Sequence, residues 1–143
     1  MKLRIRKLHA DAILPQYAHG PEEDAGMDLC SVAGGLLEPN IPQAVPTGLS
    51  IELPPGYEAQ IRPRSGLAFK HAISVANSPG TIDPGYRGEV KVILINLGRQ
   101  AYQVNKGDRI AQMVIAQYVA VEVEEGELSD TARGEGGFGS SGR

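Results

Sequence analysis

Hydrophobic side chains recur at every second position through several short stretches of the chain. Leu3 and Ile5 alternate with Arg4 and Arg6, Leu49, Ile51 and Leu53 with Ser50 and Glu52, and Tyr57, Ala59 and Ile61 with Glu58, Gln60 and Arg62. A period of two sends one face of a strand into a core and the other toward water. Residues 89–95, Glu-Val-Lys-Val-Ile-Leu-Ile, are β-branched and apolar, which predicts a strand bound for the core. A short strand is also predicted over residues 25–31, with Asp28 between Met27 and Leu29. Aspartate is depleted in strands, so its presence there asks for a reason. Residues 109–123 carry Ile110, Met113, Val114 and Gln117 at helix-compatible spacing, but their Ile, Val and Tyr content favours one long strand. A helix is predicted only where the alternation breaks, at Pro63-Arg64-Ser65-Gly66-Leu67-Ala68-Phe69-Lys70-His71, with Ser65 as N-cap of one or two turns.

Proline and glycine punctuate these stretches at Pro54-Pro55-Gly56, Ser78-Pro79-Gly80 and Asp83-Pro84-Gly85, with a further turn at Lys106-Gly107-Asp108. Proline presets φ for a turn and glycine takes positive φ freely. Residues 8–24 read as a polar, proline-broken loop. The chain is predicted to reverse at Pro84-Gly85 as a β-hairpin, with Asp83 and Tyr86 flanking the bend and Asn77 at its foot. A carboxylate, a phenol and a carboxamide would then meet on one concave surface. Many short strands and almost no helix predict an all-β sandwich or barrel. One β domain is expected over residues 1–125, followed by a flexible glycine-rich tail over residues 126–143.

Composition narrows the function. The chain has 143 residues, enough for one hydrophobic core. Its 18 glycines and 10 prolines suit many tight turns. No run approaches the roughly 18 apolar residues of a membrane span, and the N-terminus has no apolar signal region. Cys30 is the only cysteine, read as a small buried hydrophobe, and a reducing, cytoplasmic setting fits. A net charge of −3 argues against a nucleic-acid backbone as main partner. A small polyphosphate needs only a few arginines aimed at one point.

The candidate chemistry follows. A helix start at Arg64-Ser65-Gly66 suits a phosphate, through N–H groups, a hydroxyl and a guanidinium, and equally suits an ordinary cap beside a surface arginine. Asp28, Asp83 and Asp108 are carboxylates in or beside turns and strands; Asp108 reads as a local turn former. The tail, Arg133-Gly134-Glu135-Gly136-Gly137-Phe138-Gly139-Ser140-Ser141-Gly142-Arg143, reads as a disordered terminus, or as a lid in which glycines wrap phosphates and Phe138 stacks on a base. His9, His19 and His71 have no metal-ligand spacing with one another or with Cys30.

Five stretches in order resemble the trimeric deoxyuridine triphosphate nucleotidohydrolases (dUTPases): Ala25-Gly26-Met27-Asp28-Leu29, Pro63-Arg64-Ser65-Gly66-Leu67-Ala68, residues 77–96, Gly107-Asp108-Arg109-Ile110-Ala111-Gln112, and the tail. The resemblance implies a jelly-roll-like β fold in a homotrimer with shared active sites, and Mg²⁺-dependent hydrolysis of dUTP to dUMP and pyrophosphate. By that likeness Asp83 activates the attacking water and meets the 3′-hydroxyl, and Tyr86 packs under the deoxyribose. Asn77, Gly80, Ile82 and the Lys91 backbone surround the nucleoside, and Phe138 covers the uracil. Arg64, Ser65, Gly66 and Gln112 hold phosphates or water, joined by Arg133, Gly139, Ser140 and Ser141 from the tail. Asp28 meets the metal through water. The likeness shifts Arg64-Ser65 toward the phosphate reading and the tail toward ordering on substrate. The tail departs from the family's more frequent Gly-Ser-Thr-Gly in having Ser141 for threonine, which keeps the hydroxyl.

Two alternatives remain on the residues. The dCTP deaminases share the fold and a similar hairpin but need a Leu-Glu pair beyond it, where this chain has Val92-Ile93-Leu94. An isoleucine moves no proton. A non-catalytic binding module is the other, opposed by the presence of every candidate catalytic residue.

Overall fold

The computed structural model describes residues 1–142. In chain order its elements are β1 (Arg4–Lys7), β2 (Met27–Cys30), β3 (Gly35–Leu37), β4 (Gln43–Pro46), β5 (Leu49–Glu52), β6 (Tyr57–Arg62), α1 (Ser65–His71), β7 (Ile73–Val75), β8 (Gly80–Ile82), β9 (Lys91–Asn96), β10 (Tyr102–Val104) and β11 (Arg109–Gln117). The fold is all-β with one short helix, as the alternation predicts. The strands form four sheets, β1-β5, β10-β3, β2-β11-β6-β8 and β4-β9-β7, with each neighbouring pair antiparallel and no closed barrel among the described residues.

Alternation sets the core. Ala59 and Ile61 of β6, and Val92 and Leu94 of β9, turn inward and meet Leu29, Leu49, Ile110 and Met113. Burying a side chain of this size contributes about 1.5–3 kcal/mol relative to exposure, so these positions select the strand register. Pro46, which cannot donate to a ladder, ends β4 at the edge of its sheet.

Three expectations are corrected. The segment around Pro84-Gly85 does turn, with Tyr86 N donating to Asp83 O at 3.1 Å, but it does not make a hairpin. β8 pairs with β6, whereas β9 pairs with β4 and β7. The chain passes from one sheet to the other because residues 87–90 are held by the start of β5. Ser50 Oγ donates to Arg87 O at 2.6 Å, Val90 N to Leu49 O at 2.7 Å, and Thr47 Oγ1 to Val90 O at 2.6 Å. The long strand predicted over residues 109–123 stops at Gln117, opposite Tyr57 at the start of β6; one more bond, Tyr118 N to Gly56 O at 3.0 Å, follows before the partner chain turns away at Pro54-Pro55-Gly56. Beyond it, Val119, Val121 and Val123 stand exposed. Finally, Ser65 is the first helical residue and not the cap. Arg64 takes the extended cap conformation, with φ −88° and ψ 130°, and its carbonyl accepts the Ala68 N–H.

The loop before β2 is tied by an exposed ion pair and by hydrogen bonds to a carboxylate. Lys106 beside Asp11, and the His19 N–H and ring beside Asp24, hold both carboxyls below the usual range.

Candidate active site

A hollow of about 370 Å³ lies where β8, the turn after it and β9 meet, at the residues expected to surround the nucleoside. Asn77, Ile82, Asp83, Tyr86 and Lys91 all line it, together with Ala44, Thr81, Glu89 and Ile93. Gly80 is not among the lining residues but packs behind Asn77: a Cβ there would come within 3.3 Å of both the Asn77 amide and Ile61. Asp83 and Tyr86 are neighbours because the Pro84-Gly85 turn closes between them.

That turn is held from several sides. Arg87 donates to Pro84 O at 2.6 Å and to Tyr86 O at 3.1 Å, neutralising two carbonyls of the bend. Tyr86 Oη donates to Glu89 O at 3.0 Å. The Glu89 carboxylate accepts Gly48 N at 2.9 Å and faces Lys91 Nζ at 3.8 Å. The residues that steady the loop, Thr47, Ser50, Arg87 and Glu89, were not singled out by sequence. Ser50 occupies a polar position of the alternation, where the sequence expects water, yet it is only 8% exposed. A buried hydroxyl needs a partner, and here the partner is the loop.

The residues expected to meet phosphates gather separately. Asp28 lies on β2 between two arginines, Arg64 Nε at 3.1 Å from Oδ1 and Arg109 Nη1 at 3.3 Å from Oδ2. This explains an aspartate inside a strand: a carboxylate fixing two guanidinium groups. Asp28 faces Gln112 across the β2–β11 ladder, and Gln112 Nε2 donates to Pro63 O at 2.9 Å, one residue before Arg64. A Cβ at Gly26 would collide with the Gln112 amide, so glycine leaves that side chain its place. Ser65 and Gly66 open α1 next to Arg64. Asp108 is a turn former, accepting Asn105 N at 2.8 Å. Cys30 is not the buried hydrophobe expected. It is half-buried and lines a small hollow with Asp28 and Arg109, and desolvation, with Asp28 nearby, pushes its thiol up. Its place on β2, two residues after Asp28, turns it to the same side of the strand.

Arg133, Gly139, Ser140 and Ser141 line a hollow of about 420 Å³ formed by the tail alone. Successive turns build it, with Gly136 N donating to Arg133 O and Ser140 N to Gly137 O. Phe138 stands fully exposed at its rim with φ 51°. Within one chain, the three groups of predicted site residues are therefore not united. β2 and β8 are the two edges of the four-stranded sheet, three strand spacings or about 14 Å apart. The hydrogen bonds found for residues 126–142 all stay within the tail.

A dUTPase family model matches residues 11–142. The deoxyuridine 5'-triphosphate nucleotidohydrolase of Solibacter usitatus is 65% identical over 143 residues, covering 100% of this chain and 97% of that protein. That of Gloeothece citriformis is 58% identical, covering 99% and 97%. Among solved structures, the dUTPase of Staphylococcus bacteriophage 80alpha with dUpNHpp superposes with a TM-score of 0.89 at 27% identity, covering 99% of each chain. A dUTPase of Staphylococcus aureus phage phi11, described with a structural Mg(II) ion, gives 0.83 at 25% identity, covering 92% and 100%. A model match over nearly the whole chain, joined to relatives of this identity, shows that the chain belongs to the dUTPase family.

Proposed function

We propose that this protein is a dUTP diphosphatase, hydrolysing dUTP to dUMP and pyrophosphate by attack of water on the α-phosphorus. It would thereby limit uracil in DNA and supply dUMP for dTMP synthesis, in the cytoplasm. The observation that carries the reading is the hollow lined by Asn77, Asp83 and Tyr86 in a chain of this family. Asn77 offers a donor and an acceptor to the uracil edge. Tyr86 is a flat wall for the sugar, and Asp83 is the carboxylate nearest the turn, able to accept a proton from water. On the phosphate side, Arg64 and Ser65 supply charge and a hydroxyl, and Gln112 an amide.

The residues present fit Mg²⁺ of the kind that arrives on a triphosphate. Such an ion takes one or two protein carboxylates and keeps several waters. Asp28 bonds one arginine through each oxygen, which leaves acceptor capacity on both for metal-bound water. When bound, the ion would neutralise phosphate charge. This chain's own part is to orient the triphosphate with Arg64 and Gln112 and to receive a proton at the Asp83 carboxylate.

A homotrimer with shared sites is part of the proposal. Its support is the separation, in one chain, of the nucleoside hollow, the arginine–aspartate cluster and the tail. The exposed Val119, Val121 and Val123, at alternate positions, offer a strand without a partner, and β1 has β5 as its one ladder neighbour among the described residues. Residues 126–143 would close over a site and bring Arg133 and Phe138 to substrate; stacking by Phe138 would contribute about 1–3 kcal/mol.

The test is to mix the protein with Mg²⁺ and dUTP, dCTP or UTP in parallel and resolve the products. Consumption of dUTP alone, to dUMP and pyrophosphate, is expected; deamination of dCTP would overturn the reading. Asp83→Asn is expected to lower kcat by about 10²–10⁴ while dUTP still binds. Near-normal turnover in that variant would remove Asp83 as the base.

A further inference from the structure

Tyr86 is half-exposed, yet its ring is not free to swing. Its hydroxyl donates to Glu89 O at 3.0 Å, so the side chain folds back across the intervening Gly88. A Cβ built on Gly88 would collide with the phenol oxygen and two ring carbons of Tyr86. The φ of Gly88 lies outside the left-handed region, so what glycine provides here is space and not a backbone conformation. Gly85, in the same loop, has nothing within 4 Å of a built Cβ.

We infer that Gly88 is a specificity-determining positioning residue: its bare backbone is the seat on which the Tyr86 ring rests against the nucleoside hollow. The inference rests on the proposed reading of that hollow as a dUTP site in which Tyr86 bounds the sugar. An alanine at position 88 drives the ring off its seat and breaks its bond to Glu89 O. The wall that excludes a 2′-hydroxyl then loosens, while Asn77 and Asp83 stay where they are. Glu89 holds the other end of the device, because its carboxylate is anchored on Gly48 N and its carbonyl receives the phenol.

The experiment measures kcat/KM for dUTP and for UTP, with thermal melting, in the full chain and in Gly88→Ala, Gly85→Ala, Tyr86→Ala, Tyr86→Phe and the double variant Gly88→Ala/Tyr86→Ala. Gly88→Ala is expected to lower the dUTP-to-UTP ratio about tenfold or more, since the discrimination depends on a fixed wall. Gly85→Ala is expected to keep the ratio. In the Tyr86→Ala background, Gly88→Ala is expected to change the ratio by no more than about twofold, because the two residues act as one unit. A role confined to general stability would lower melting without this dependence on Tyr86. Tyr86→Phe keeps the ring and deletes the bond to Glu89 O, so a drop of about fivefold in the ratio is expected even if Gly88→Ala fails to fold. An unchanged ratio in Gly88→Ala, an equal drop in both backgrounds, or an unchanged ratio in Tyr86→Phe overturns the inference alone. A wild-type chain that hydrolyses dUTP no faster than UTP removes the reading beneath it as well.

Discussion

Asp28 illustrates how a residue that is unfavourable for its element acquires a reason from its neighbours. Each carboxylate oxygen engages a different arginine, one arriving from the cap of α1 and the other from the start of β11. Charge-assisted bonds of this kind are stronger than neutral ones and fix direction as well as distance. Gly26, two residues earlier, acts through space: without a side chain it leaves the Gln112 amide free to reach Pro63 O. Gly26→Ala is therefore expected to displace that amide and raise KM for dUTP about tenfold, with a melting temperature close to wild type. Steady-state kinetics beside a thermal melt checks this. A normal KM would separate Gln112 from substrate binding.

At the scale of elements, the loop bearing Asp83 and Tyr86 owes its shape to β5 more than to its own turn. Thr47 is fully buried and donates to Val90 O at 2.6 Å, while its hydroxyl oxygen accepts Leu49 N at 3.3 Å. Thr47→Val preserves shape and removes both bonds. A loss of about 1–3 kcal/mol in unfolding free energy is expected, read from urea denaturation. A stability within experimental error of wild type would mean that the backbone bonds of Thr47 and Val90 hold the crossing by themselves. β9 is the complementary case. Its register is set by Val92 and Leu94, both buried, so Lys91 is turned outward toward the hollow.

At the scale of the whole molecule, one chain carries all the predicted site residues but assembles only one group of them around the hollow lined by Asn77, Asp83 and Tyr86. Light scattering is expected to give a trimer, and removal of residues 126–143 is expected to abolish dUTP hydrolysis while leaving that trimer intact. An active monomer, or full activity without the tail, would contradict the shared-site proposal. The strand-rich class, the inward face of β6, the existence of β9, the short helix and the turn at Pro84-Gly85 were legible in the sequence, because these depend on a period of two, on β-branched runs and on local dihedral preference. The sequence also carried the family, through five stretches in order. Tertiary structure decided what the turn connects. A local reversal says nothing about which sheet receives the next strand, and here Ser50 and Thr47 draw residues 87–90 away from β8. It also decided where β11 stops, since β-branched residues continue past Gln117 but the partner chain turns away at Pro54-Pro55-Gly56. The pairing of Asp28 with Arg64 and Arg109 is of the same kind. The three lie far apart in the chain, and only sheet order β2-β11-β6 brings them within hydrogen-bonding distance.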